Sequence, residues 1–169
     1  MGNSFLVSLF EHKAWCNLGL VEALRRVPDD ADRVQFNTIL VLLGHTSIVD
    51  QIFKARLSGT EHEFRAVVGN DIPELERLAS TLAETDAWYL DYVKDLPASE
   101  LDDVVEFDFV SDSDHGRMTK AEILAHIIAH GASHRGAIGR IMETLKVRGA
   151  PDMVTTFVRQ TSAKDREER

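Results

Sequence analysis

From residue 4 to residue 27, Leu6, Leu9, Phe10, Ala14, Leu18, Val21 and Leu24 return at steps of three and four, which places them along one side of an α-helix. Pro28, Asp29 and Asp30 end that pattern. A second helix is predicted over residues 32–57, where Val34, Thr38, Val41, His45, Ile48 and Ile52 form a stripe widened by Ile39, Leu42, Val49 and Phe53. Ser58 and Gly59 close it, and His45 sits as an imidazole within an otherwise apolar side. After a linker at 59–70, Asp71 is the expected cap, with Pro73 in the first turn and Glu74 three residues on. Leu75, Leu78, Leu82, Trp88, Leu90 and Val93 then mark a third long helix that stops before Pro97.

The period changes between residues 99 and 117. Val104, Glu106, Asp108 and Val110 alternate with Val105, Phe107 and Phe109, the spacing of a strand, and residues 111–116 are rich in turn formers. A strand with a short partner near Arg117 and Met118 is therefore expected. Thr119 followed by Glu122 is a capping-box pattern that opens a last long helix from Lys120 to Leu145 or Lys146, ended by Gly149 and Pro151. Residues 154–158 read as one short element and residues 162–169 as a polar, frayed tail. Together these patterns predict an all-α four-helix bundle, with a minor strand or hairpin inserted before the last long helix, in a single domain over residues 1–169.

Charge narrows the range of partners. With 19 Lys and Arg against 28 Asp and Glu the net charge is -9, and without a local basic stripe the chain repels a phosphate backbone, so no nucleic-acid partner is expected. The single cysteine, Cys16, lies beside Trp15 and Leu18 and reads as a buried thiol in a reducing compartment. The first ten residues lack a basic start and are interrupted by Glu11, His12 and Lys13, so neither a signal peptide nor a membrane span is expected and the cytoplasm is the default location.

The histidines carry the candidate chemistry. His126, His130 and His134 follow one another at steps of four on the last helix, a spacing at which imidazoles on one side can converge on an ion. Each step advances about 40° around the axis, so His130 and His134 are the economical pair and His126 the reserve. Gly131 and Gly136 each cost a helix about 1 kcal/mol against Ala, which calls for a close helix contact or room for a ligand nearby. His45, next to Gly44, is the candidate third ligand, with Asp50, Asp86 or Glu84 as the expected acceptor for its other nitrogen. By spacing alone, ordinary hydrogen-bonded histidines are the better account of the pattern.

The pairing of Gly44 and His45, near Asp50, with His130, His134, Arg135 and Gly136 resembles the DinB/YfiT-like family of metal-binding four-helix bundles, whose late motif runs Asn-His-x-x-His-His-Arg-Gly. Trp15, the strand-like insertion and the capping Thr119 extend the resemblance over nearly the whole chain. Ala129 and Ser133 depart from the motif, although neither replaces a metal ligand. The resemblance implies a divalent ion, nickel or zinc first with iron as the alternative, held by His45, His130 and His134. It also implies a homodimer and a metal-dependent transferase that activates a low-molecular-weight thiol against an electrophilic small molecule. A non-catalytic metal-binding stress or interaction protein and a metal-dependent hydrolase are the alternatives. Arg135 is expected either to grip a substrate anion or to form a structural salt bridge.

Overall fold

Each long apolar pattern becomes a helix: α1 spans Ser4–Leu24, α2 Arg33–Ser58, α3 Leu75–Asp95 and α4 Lys120–Thr144, followed by α5 over Val154–Glu167. The structure is a computed structural model that describes residues 4–110 and 114–167, with side chains as far as Thr161. Parts of the expected turn (111–113), of the polar tail (168–169) and of the N-terminal stretch (1–3) lie outside the described residues.

The helix ends show which local signals worked. Asp32 caps α2 by accepting from the backbone N–H groups of Val34 and Gln35, and Gly59 ends it in the left-handed conformation that glycine adopts without a side-chain clash. Thr119 and Glu122 form the expected capping box on α4. The cap expected at Asp71 does not form: α3 begins at Leu75 behind Glu74, with no side-chain cap. Pro73 instead packs against α2, its Cγ 3.1 Å from where a Cβ on Gly44 would sit. At the other end of the chain α5 runs for 14 residues, well beyond the short element expected there.

α1 and α2 each pack against both α3 and α4, which gives the four-helix bundle. Strands β1 (Val104–Asp108) and β2 (His115–Thr119) form the predicted hairpin, antiparallel with Val104 opposite Thr119 and Asp108 opposite His115. Phe107 is buried while Glu106 and Asp108 are exposed, the alternation of a ribbon laid with one face on the bundle. α2 is long and apolar enough by composition to cross a membrane, yet 56% of its most apolar window is buried in the bundle, where its apolar side chains form core.

The core has two apolar halves. Leu20, Leu24, Ile39, Leu43, Leu82, Ile138 and Met142 belong to one; Phe10, Phe53, Tyr89, Ile123, Leu124 and Ile127 belong to the other. In sequence, buried polar residues of each helix fall between the residues of those two halves, Lys13 and Asn17 on α1, Thr46 and Ser47 on α2, Thr85 and Asp86 on α3, Arg135 on α4, with Asp50 one residue past Val49 of the second half. A polar layer therefore crosses the middle of the bundle. It also turns two helices relative to their apolar stripes. Leu18 is 63% exposed and Val34 76%, and Thr38 is exposed, while Lys13, Asn17 and Asp50 are buried. His45 consequently lies half-buried at the edge of the α2 interface and not in the centre of the core-facing stripe.

Candidate metal centre

On α4 the buried line is Ile127, Gly131, Arg135, Ile138 and Met142, and His130 and His134 each precede a member of it by one residue. One residue is about 100° of helix rotation, so the two imidazoles emerge at the edge of the buried side, facing the neighbouring helix at the margin of the bundle. α2 is that neighbour and brings His45 to them. The Nε2 atoms of His45 and His130 are 3.0 Å apart, and ligand nitrogens from His45, His130 and His134 all lie within 4.8 Å of one another. Ring centroids are 5.0 Å apart for His45 and His130, 4.8 Å for His45 and His134, and 4.5 Å for His130 and His134. Two imidazole nitrogens on a tetrahedral ion with bonds of about 2.0–2.1 Å stand about 3.3 Å apart, a spacing the His45–His130 pair already has and the 4.8 Å bound brings within about 1.5 Å for His134.

The protonation of the set also suits an ion. His45 Nδ1 is 2.8 Å from the carbonyl oxygen of Val67. A carbonyl only accepts, so Nδ1 carries the proton and Nε2 turns a lone pair toward the other two rings. This acceptor is a backbone group in the 59–74 segment, in place of the Asp50, Asp86 or Glu84 side chain expected from the sequence. Burial, helped by His134, His45 and His126, holds His130 down at about 4, and burial with His45 lowers His134, so both are neutral at pH 7, the form that binds metal. His126 stands outside the cluster, stacked on His130 at 5.2 Å between ring centroids, with Phe53 on another side. The described residues thus hold a cluster able to bind a divalent metal, with nothing in it that selects nickel, zinc or iron.

Arg135 turns the other way. Its guanidinium is buried, donating from Nε to Asp152 Oδ2 at 2.7 Å, from Nη2 to Asp152 Oδ1 at 3.2 Å and from Nη1 to Asn17 Oδ1 at 3.2 Å. It is a structural side chain that ties the segment before α5 to α1 and α4. Gly131 is explained by the same group, since a Cβ there would meet Arg135 Nη1 at 3.1 Å. Nothing in the structure explains Gly136, which is exposed with open space around it.

The polar layer continues from Arg135. Asn17 donates to Asp86 at 2.8 Å, and Lys13 bridges Asp86 and Asp50, the latter at 2.8 Å. On the far side of Arg135, Asp152 Oδ1 is 3.0 Å from Cys16 Sγ, which is 3.2 Å from His12 Nε2. Sequence reasoning placed Cys16 in the core correctly but missed these partners. The available signal was the run His12, Lys13, Cys16, Asn17, a polar patch at helical spacing inside an apolar helix. Asp152, in the loop after Pro151, gave none. Burial and the hydrogen bond to Asp152 push the Cys16 thiol up to about 12, so it is no nucleophile at neutral pH.

Cavities of about 560 and 570 Å³ lie between α1 and α3 and between α2 and the segment around Phe64–Pro73, and His45, His130 and His134 line neither. No curated protein and no solved structure matches the chain. The family model described as the DinB family covers residues 1–167, taking in all four bundle helices, the hairpin and the three histidines, and the chain belongs to that family.

Proposed function

We propose that His45, His130 and His134 bind one divalent ion, and that the loaded protein is a transferase joining a low-molecular-weight thiol to an electrophilic small molecule. The observation that supports this most is the convergence of three imidazoles from two helices within 4.8 Å, with the outer nitrogen of His45 occupied by the Val67 carbonyl. An ion held by three neutral imidazoles keeps at least one position for an outside ligand and stabilises a bound thiolate. The chain's own part is to hold His45 in one tautomer and to keep His130 and His134 uncharged. With Arg135 bound to Asp152 and Asn17, no arginine of the motif is free to take a substrate anion, so the electrophile is recognised by other contacts.

A purely structural ion is disfavoured at these histidines, because structural zinc sites often use cysteine and none stands among them. The test is metal analysis of untagged protein beside His45→Ala, His130→Ala, His134→Ala and His126→Ala. One equivalent of metal, lost in the first three and kept in the fourth, supports the site; unchanged occupancy in the first three rejects it. Adduct formation between small thiols and a panel of electrophiles, present in the loaded protein and absent in those three variants, supports the transferase. Metal-dependent ester cleavage without thiol would point to a hydrolase, and no metal-dependent rate at all to a non-catalytic protein.

A further inference from the structure

We propose that the chain has a second metal site, separate from the three histidines, in which His12, Cys16 and Asp152 hold a zinc-type ion that fastens the C-terminal segment to α1. His12 and Cys16 are one helical turn apart on α1, and Asp152 comes from the loop before α5. Their ligand atoms are mutually close: Sγ to Nε2 3.2 Å, Sγ to Oδ1 3.0 Å and Nε2 to Oδ1 3.8 Å. Bonds of about 2.3 Å to sulfur and about 2.0–2.2 Å to nitrogen and oxygen around a tetrahedral ion give separations of about 3.4–3.6 Å, so each observed distance is within about 0.6 Å of the requirement.

The arrangement does not read as a catalytic triad. In a nucleophile–base–acid relay the carboxylate holds the far nitrogen of the histidine, whereas here it faces the same nitrogen and the same sulfur at once. Three atoms pointing at one spot is the geometry of a coordination shell. The donor set suits a borderline-soft ion: one thiolate, one imidazole and one carboxylate that is also paired with Arg135. Binding displaces the thiol proton to solvent. Arg135 grips the carboxylate chiefly through Oδ2, at 2.7 Å, which orients Oδ1 toward Cys16 and His12. A cavity of about 30 Å³, large enough for a water, lies against Cys16 and Asp152, although His12 does not line it.

The site has a structural task. α5 rests on the bundle through Phe157, which meets the rings of His12 and Trp15 at 5.6 and 5.7 Å, and an ion on His12 would reinforce that same contact.

Cobalt(II) gives a decisive test, because the chain has a single cysteine and a thiolate-to-cobalt charge-transfer band can arise only from Cys16. Reduced, untagged protein is titrated with cobalt(II), alongside a His45→Ala/His130→Ala/His134→Ala variant. The band is expected in both, with two equivalents bound by the parent chain and one by the triple variant. Asp152→Asn and His12→Ala, made singly, should each weaken the cobalt that gives the band by at least about tenfold, the lower end of what disturbing a metal shell costs. Asp152 lies on a loop, so its variant keeps the test informative if His12→Ala does not fold. Absence of the band from the folded parent chain overturns the proposal, as does a band that Asp152→Asn leaves at full affinity. Because the triple variant lacks the three-histidine cluster, this result stands or falls separately from the proposed function.

Discussion

Replacing Lys13 by Met keeps the length of the side chain and removes the ammonium on which the middle of the bundle closes. The Lys13 side chain is 2% exposed, with Asp50 at 0% and Asp86 at 7%, so Lys13→Met leaves two carboxylates inside the protein without their cation. Losing one partner of a buried ion pair costs about 3–5 kcal/mol, a large share of the roughly 5–15 kcal/mol by which a domain is stable. Burial alone would pull the Lys13 ammonium down, but Asp50 and Asp86 outweigh it and hold it above its ordinary value. The lysine's share of that stabilisation is present at pH 7 and is lost as pH climbs through the raised value, above about 10.5, while burial raises the Asp50 carboxyl against the pull of Lys13. Urea unfolding followed by circular dichroism is the assay. With a slope of about 2–2.5 kcal/mol per molar, the midpoint should fall by about 1.2–2.5 M. Adding Asp50→Asn and Asp86→Asn to the same chain removes the stranded charges, and the midpoint should recover part of that loss. A cost below about 1 kcal/mol, the range of a surface pair, would show that the layer is open to water and refute the reasoning.

Acidification should weaken the metal-free protein through its histidines. His130, held at about 4, and His134, also lowered, take up protons in the unfolded chain near pH 6.5 but in the folded chain only below that. Stability should then fall as pH drops from about 6.5 toward 4, and less steeply in His130→Ala; identical melting profiles for the two chains over that window would contradict it. Arg135→Leu should cost about 1.5–3 kcal/mol by unpairing Asp152 and Asn17, and should speed proteolysis near residues 149–153; an unchanged melting temperature would count against its structural role. Thr119→Ala should cost about 1 kcal/mol by removing the α4 cap, read as a lower melting temperature with the secondary structure of the folded state unchanged.

Where a feature depends on neighbours in the chain, its signal was local and readable. The capping box at Thr119 and Glu122, the stop at Gly59 and the alternation from Val104 to Phe109 each concern residues within a few positions of one another, and each appears where its pattern lies. The choice of His130 and His134 over His126 likewise needed only the helical angle, and the structure leaves His126 outside the cluster. Asp71 shows the limit of such reasoning: a good cap pattern lost to a long-range contact, with Pro73 drawn onto Gly44.

The order of apolar and polar residues by itself determined four long helices, a hairpin and one helix edge bearing paired imidazoles, because backbone periodicity is written into consecutive positions. Only the tertiary structure decided which side of α1 and α2 faces inward. Hydropathy counts Lys13, Asn17, Asp50 and Asp86 as solvent-seeking, yet Lys13 pairs with both carboxylates and Asn17 with Asp86 once four helices meet, and Leu18 and Val34 are left outside. The same layer claims Arg135, and the Val67 carbonyl, from a segment with no periodic signal, fixes the tautomer of His45. Charge and hydrogen-bond partners come from residues far apart in the chain, and the free energy of burying each one is set by whether its partner arrives.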